Sequence, residues 1–136
     1  MAYLQYEPME AAMWTHGHFY WNELMTRDPD TVRAFYEATV GWRFAEHNLT
    51  DGSLYWVAFA GDTPVAGVFA MSGPDFEGVP DNWMPYLAVD DVEARLEAAV
   101  AAGATVIRPA FTVPAVGRFA ILRQPGGGAI GWMTPA

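Results

Sequence analysis

Residues 21–41 read WNELMTRDPDTVRAFYEATVG, and residues 84–103 read MPYLAVDDVEARLEAAVAAG. Each stretch passes from a short apolar segment, through one or two aspartates, into a segment with helical periodicity, and ends at glycine. Aspartate can cap the free N–H groups of a first helical turn. Glycine suits the position after a helix, where the backbone often needs a positive φ. Both stretches therefore predict a strand followed by a helix.

The caps and the apolar spacing define the two predicted helices. The first begins at Asp28 and Pro29, because proline fits the first helical position, where no N–H is needed. In the second, Asp90 and Asp91 are candidate caps, and Glu93 has the spacing of a capping box with Asp90. The apolar residues at helical spacing are Val32, Phe35, Tyr36 and Val40 in the first helix and Val92, Leu96, Ala99 and Val100 in the second.

Three strand-like segments follow each helix, separated by residues typical of turns. Together with the two leading strands, the predicted strands are residues 18–25, 42–46, 54–60 and 65–71 in the first half, and 83–89, 105–109, 118–123 and 129–133 in the second. Each half therefore has the order β-α-β-β-β.

The chain is an internal duplication. Three pairs of residues recur at offsets of 62 to 64 positions: Asp28 with Asp91, Gly41 with Gly103, and Gly67 with Gly131. We therefore predict one α+β domain, 1–136, of two tandem βαβββ modules forming a shared curved-sheet cleft. The modules cover about residues 17–71 and 83–134, and residues 72–82, rich in Gly, Pro and Asp, form a linker.

The composition narrows the possible chemistry. The net charge is −9, and an acidic surface repels phosphate groups, so nucleic acids and anionic membranes are poor partners. The chain has no Cys and no Lys, which excludes disulfides, thiolate metal sites and Schiff bases. Ser53 and Ser72 lie beside glycines in apparent turns, without the frame that a serine nucleophile needs.

The N-terminal residues and the short apolar runs predict a cytoplasmic protein. Glu7 and Glu10 stand where a signal peptide would carry basic residues before an apolar run. No apolar run approaches membrane-spanning length.

Several strings resemble the vicinal oxygen chelate superfamily, which includes glyoxalase I, extradiol dioxygenases and bleomycin- or fosfomycin-resistance proteins. The matching strings are residues 21–28, Phe35-Tyr36 with Gly41-Trp42, residues 86–92, and residues 117–120 followed by 124–127. The resemblance runs from about Gly17 to Met133 and implies the two-module fold. It leaves the chemistry open, because this fold supports many functions.

In that superfamily the metal enzymes take one ligand from the first and one from the last strand of each module. The resemblance places these four positions at Trp21, Gly67, Met84 and Gly131. Indole and glycine offer no ligand, and a thioether is too soft for Mg²⁺, Mn²⁺ or Zn²⁺ with oxygen partners. We therefore expect no metal and no other cofactor, and we expect glyoxalase and dioxygenase chemistry to lack its usual metal site.

Strand alternation extends these positions into a predicted binding slot. If Trp21 faces the cleft, its alternate neighbours on the strand face it too, and the same rule applies to Met84. The predicted substrate-binding residues are Trp21, Glu23, Met25, Gly67, Met84, Tyr86 and Gly131. The two glycines are expected to leave open space. Such a slot suits a flat apolar or cationic small molecule.

Glu23 is the candidate catalytic residue, because a carboxylate in apolar surroundings tends to have a raised pKa and can act as a general base. The alternative, which we favour, is a structural role in which Glu23 hydrogen-bonds Tyr86 or an arginine.

Two other groups of residues are given structural roles. His16 and His18 alternate on a strand but have the opposite parity to Trp21, so we interpret them as a solvated pair and not as metal ligands. His47 is expected at the surface in a loop. Residues 126–128, three glycines, are interpreted as a tight turn, since a phosphate-binding loop would continue with Lys and a helix.

Two functions remain from different classes. The first, which we favour, is a metal-independent small-molecule-binding protein similar to the resistance-type members that sequester a drug. The alternative is an enzyme of the glyoxalase/dioxygenase type, a lyase, isomerase or oxygenase, using Glu23 as acid–base or a metal site of another kind. The resemblance implies a homodimer, because members of that superfamily often pair. The aromatic content of 15% and the unassigned N-terminal arm favour an apolar contact surface.

Overall fold

The computed structural model describes residues 14–48 and 52–136, which contain eight strands and two α-helices. These residues form two compact units: Trp21–Trp83, and residues 14–20 together with Met84–Ala136. The expectation drawn from Glu7 and Glu10 lies outside the described residues. Each unit is mixed α and β, which confirms the predicted fold class.

The first unit has the predicted order of one strand, one helix and three strands. Its elements are β1 (Phe19–Thr26), α1 (Pro29–Thr39), β2 (Arg43–Asn48), β3 (Leu54–Ala60) and β4 (Thr63–Ala70). The strands lie in the order β2-β3-β4-β1. Strands β1 and β4 are parallel, and the other two pairings are antiparallel.

The second unit repeats this order. Its elements are β5 (Asn82–Ala88), α2 (Val92–Ala101), β6 (Thr105–Val113), β7 (Gly117–Arg123) and β8 (Ala129–Pro135). The strands lie in the order β5-β8-β7-β6, with β5 and β8 parallel. Strand β6 continues beyond the predicted end at Pro109. Two register shifts against β7 leave some residues of β6 unpaired, so the strand can pass through the proline.

The helix ends confirm the aspartate caps. The Asp28 side chain accepts a hydrogen bond from the Thr31 N–H at 3.2 Å, and the Asp91 side chain accepts one from the Ala94 N–H at 3.1 Å. Gly41 follows α1 with a φ of +76°. The predicted capping box of Asp90 and Glu93 is wrong, because both carboxylates bind arginines instead.

One face of each sheet carries its helix. In the first unit Leu24, Trp56 and Val68 form a buried cluster on which Val32 and Tyr36 of α1 pack. The remaining two residues predicted for the buried face of α1 are exposed: Phe35 by 56% and Val40 by 61%. Val40 is exposed because the helix ends at this residue, which is the C-cap.

In the second unit the helix is more deeply packed. Val92 and Leu96 of α2 are buried with Val89, Ala120 and Leu122 of the sheet. Ala99 packs against this cluster, whereas Val100 is 52% exposed. The apolar spacing therefore predicted the packed face of α2 correctly, except at Val100.

The predicted linker contains a 3₁₀ turn, Pro74–Phe76, and it is tied to the end of β1. Asp81 accepts hydrogen bonds from the Arg27 guanidinium at 2.8 Å, from the Arg27 N–H at 3.2 Å and from the Thr26 hydroxyl at 3.2 Å. The guanidinium also donates to the Phe76 carbonyl at 2.6 Å. These bonds hold the segment that leads into β5.

Neither helix in the described ranges is long and apolar enough to cross a membrane. The cytoplasmic location stays a prediction.

Candidate functional site

The face of the first unit opposite α1 carries the residues predicted for the slot. In the β1–β4 ladder Glu23 is the register partner of Gly67, and Met25 is the partner of Phe69. Because side chains alternate, Trp21 shares this face, and Leu24 points to the helix. The sequence therefore assigned Trp21, Glu23 and Met25 to the correct common face.

A tyrosine from β3 covers Gly67. A Cβ atom added to Gly67 would overlap the hydroxyl oxygen and ring of Tyr55. The indole N–H of Trp21 donates a buried hydrogen bond of 2.9 Å to that same hydroxyl. The Tyr55 ring, which is only 2% exposed, thus crosses over β4 toward β1.

In the second unit a tyrosine ring also covers a glycine, but this tyrosine lies on a different strand of the repeat. Tyr86 on β5 is the register partner of Gly131 on β8, and a Cβ at Gly131 would overlap the Tyr86 ring. An aromatic ring lying on a cross-strand glycine compensates for the side chain that glycine lacks. Phe119 contacts Tyr86 edge to face, with ring centroids 5.5 Å apart.

The expectation that Gly67 and Gly131 leave open space is therefore wrong. Each glycine is buried, and each permits a close approach between a tyrosine ring and the strand backbone. Sequence reasoning missed Tyr55 because β3 reads Leu-Tyr-Trp-Val-Ala-Phe-Ala, an apolar run without the alternation that assigns faces.

The predicted slot residues are mostly buried. Trp21 and Met25 are each 8% exposed, and Met84 and Tyr86 are each 5% exposed. Glu23 is the partly exposed member of the set and has interaction partners. On β1, Glu23 alternates with Trp21 and Met25 on the same face. Whether these seven residues contact a ligand stays a prediction.

His47 lies in β2 and not in a loop, which corrects the sequence-based expectation. It is half-buried and is the register partner of Tyr55, so it shares the face of Trp21 and Glu23. Burial lowers the pKa of the imidazole from its ordinary value of 6.5. The lowered pKa favours the neutral form of the ring at neutral pH.

The other sequence motifs have structural roles. His16 and His18 are exposed, and Nδ1 of His16 accepts a hydrogen bond of 3.0 Å from the Asp90 N–H. The three glycines at 126–128 form a tight turn, closed by the Gln124 N–H donating to the Gly128 carbonyl at 3.0 Å. The turn prediction is confirmed.

The residues at the four superfamily ligand positions do not fit a metal ion. Trp21 uses its N–H for Tyr55, Met84 is a buried thioether, and tyrosine rings fill the space above both glycines. Among the residues that the structure describes, no group of three or more His, Asp or Glu side chains could hold a metal ion.

The sequence matches the family profile described as a glyoxalase-like domain over residues 22–130. The chain belongs to this family, as the two βαβββ units and the resemblance to the vicinal oxygen chelate superfamily predicted.

Relatives and solved structures agree with this assignment. "Putative glyoxylase CFP32" of Mycobacterium bovis and its Mycobacterium tuberculosis counterpart are each 42% identical to the chain over 120 residues. The match covers 88% of the chain but 45% of each relative, so the chain spans less than half the length of these proteins.

Two solved structures show the same fold. Methylmalonyl-CoA epimerase from Mycobacterium tuberculosis is 14% identical, with a TM-score of 0.60 over 93% of this chain and 95% of that one. The Mn(II)-bound glyoxalase from Novosphingobium aromaticivorans is 17% identical, with a TM-score of 0.56 over 88% of this chain and 39% of that one.

Placing a methyl group on either covered glycine tests the ring-over-glycine contacts. We expect Gly67→Ala and Gly131→Ala each to lower the free energy of unfolding by about 1–3 kcal/mol, because a buried ring must move. Chemical denaturation of each variant measures this loss.

The matched controls remove the ring. In Tyr55→Ala and Tyr86→Ala backgrounds the same glycine substitutions should cost much less, so each double-mutant cycle should show a coupling energy. Unchanged stability of both single variants would mean that the space above the glycines is open after all.

The second prediction concerns His47 and acid. Because its pKa is lower in the folded chain than the ordinary 6.5, the unfolded chain binds the proton more tightly. The contribution of His47 to stability is therefore unfavourable below about pH 6.5 and absent above it. His47→Gln should flatten the fall in melting temperature on acidification. An NMR titration midpoint for His47 at or above 6.5 would contradict this.

Proposed function

We propose that the chain is a metal-independent protein that binds a flat, largely apolar small molecule. The main support is that the four predicted ligand positions carry no side chain suited to a hard metal ion. A hydrogen bond between Trp21 and Tyr55 and the rings of Tyr55 and Tyr86 occupy this space instead. A metal enzyme would need oxygen or imidazole donors there.

The aromatic faces support a planar ligand. Trp21 and Tyr55 in the first unit and Tyr86, Phe119 and Phe111 in the second place rings opposite the helices. Aromatic and aliphatic walls with few polar groups are typical of small-molecule sites. Whether the ligand is apolar or cationic depends on the charges near these faces. Glu23 is an acidic residue on the face of the first unit.

A catalytic role of the same chain is the second candidate, and Glu23 favours it. Glu23 is a partly exposed carboxylate that alternates with the buried Trp21 and Met25 on one face, and a general base must be accessible to its substrate. The relatives named as glyoxylases make a 2-oxoaldehyde the first substrate to test.

Elemental analysis tests the metal-independent function. Protein purified without chelator and dialysed should carry far less than one divalent ion per chain, because the four positions offer no hard donors. A stoichiometric Zn²⁺, Ni²⁺ or Mn²⁺ that is lost on substituting residues near Trp21 and Met84 would overturn the proposal.

Turnover separates the two candidates. Under the binding function, methylglyoxal with a thiol should be converted no faster than the uncatalysed reaction, with or without added Mn²⁺. Metal-free turnover that falls at least about a hundredfold in Glu23→Gln would instead establish the enzyme, since a general base contributes about 10²–10⁴-fold. Asp75→Asn, a change in the linker, is the matched control.

We also propose a homodimer formed through an aromatic patch of the first unit. The patch consists of Phe35, Tyr36, Val40, Trp42 and Trp83. The Tyr36 ring stacks on Trp42 with centroids 4.8 Å apart, and Trp83 contacts both edge to face. Within the described chain no side chain of α1 is fully buried, and Trp83 is 40% exposed. Large exposed aromatics of this kind are enriched at protein interfaces.

Light scattering tests the dimer. The wild-type chain should have twice the mass of one 14.9 kDa chain. Phe35→Glu should yield monomers, because it places like charges at the contact. Ile107→Glu, at a residue 47% exposed in the second unit, should leave the dimer intact. A wild-type monomer at micromolar concentration would sink the proposal.

A further inference from the structure

The charges of the seven basic residues are not evenly neutralised. Five arginines form ion pairs with carboxylates: Arg27 with Asp81, Arg33 with Asp30, Arg43 with Asp62, Arg95 with Asp90, and Arg118 with Glu93. Within residues 14–48 and 52–136, Arg108 and Arg123 have no such pair. On a chain with net charge −9, these two arginines keep positive charges that no carboxylate of the described residues neutralises.

Both residues lie on one face of the second unit. The Arg108 guanidinium stacks on Phe111 at 3.8 Å from the ring centroid, and Phe111 stacks on Phe119 with centroids 5.7 Å apart. Phe119 and Phe111 are register partners, and Arg108 is the partner of Ile121. Alternation along β7 puts Arg123 on the same face as Phe119 and Ile121, opposite α2.

Burial decreases along this face toward the edge strand. Tyr86 and Phe119 are each 5% exposed, Phe111 and Ile121 are partly exposed, and Arg108 is exposed. The accessible end of the row of rings therefore carries Arg108. Arg123 is also exposed and lies on the same face, two residues beyond Ile121 on β7.

We propose that Arg108 and Arg123 bind the acidic group of a planar, largely apolar ligand whose rings pack beside Phe111 and Ile121. The ligand class is an aromatic carboxylate or sulfonate. Guanidinium groups suit such an acid, because they present several N–H donors and can stack on a ring at the same time. The inference rests on the proposed binding function, and it selects an acidic ligand over the cationic one considered from the sequence.

The first unit supplies a matched control. Arg43 on β2 also stacks on a ring, with its guanidinium 4.7 Å from the Phe59 centroid, but Asp62 lies 4.0 Å from it. Arg43 and Arg108 therefore share the stacking contact and differ in the neutralising carboxylate. Replacing either arginine with glutamine removes a ring contact. Only the replacement of Arg108 also removes a positive charge without a neighbouring carboxylate.

Two fluorescent probes with the same rings test the site in the full chain. 8-Anilinonaphthalene-1-sulfonate carries a sulfonate, and N-phenyl-1-naphthylamine lacks it. The wild-type chain should bind the sulfonate more tightly. Arg108→Gln should weaken the sulfonate about tenfold, the effect of losing one charged hydrogen bond. Arg123→Gln should weaken it severalfold, and Arg43→Gln should not. The neutral probe should bind all four proteins alike, and added salt should weaken only the sulfonate.

The other outcomes separate this inference from the proposed function. If the neutral probe binds as tightly as the sulfonate, or if Arg108→Gln and Arg43→Gln behave alike, the acidic site is overturned while small-molecule binding stands. A cooperative thermal transition shows that the wild-type chain is folded. If neither probe binds this folded chain, the proposed binding function and the acidic site are both contradicted.

Discussion

The alternation of side chains along β1 is the constraint on which the first unit depends. It sends Leu24 to the helix side and Trp21, Glu23 and Met25 to the other, so one short strand contributes to the core and to the candidate site together. A shift of one residue in register would exchange the two sets, exposing Leu24 on the aromatic face and burying Glu23 beneath α1. The buried cluster of Leu24, Trp56 and Val68 thereby fixes which face the candidate residues occupy.

The two covered glycines follow from the same constraint. On a face that must be filled, a glycine needs a neighbour to supply the missing volume, and a tyrosine does so in each unit. The two solutions differ: Tyr86 lies directly opposite Gly131, whereas Tyr55 reaches across from β3 and is held by Trp21. The positions at which the resemblance predicts metal ligands are thus taken by packing and by one buried hydrogen bond.

Much of the fold was predictable because its signals are local. The Asp28 and Asp91 caps, the glycine after α1 and the repeated spacing indicated both helices, and turn residues separated most strands. The face of β1 followed from alternation. Contacts across strands were not predictable in this way: Tyr55 lies in a run without alternation, and His47 was expected in a loop although β2 extends through it. The contact between Tyr86 and Gly131 was closer to prediction, because alternation and the resemblance assigned both residues to the same face of the second module.

Each unit stacks one arginine on a phenylalanine, and the two arginines differ in whether a carboxylate neutralises them. Arg43 and Arg108 lie 65 positions apart, close to the repeat offset, and each lies over a phenylalanine. Arg43 stacks across the β2–β3 ladder on its register partner Phe59, whereas Arg108 stacks on Phe111 of its own strand. Asp62 occupies the short β3–β4 turn next to Arg43, and no carboxylate of the described chain pairs with Arg108. A ring contact by itself leaves the charge of an arginine unused, and a nearby carboxylate decides whether that charge is neutralised. Between Arg43 and Arg108, the single turn residue Asp62 makes this difference.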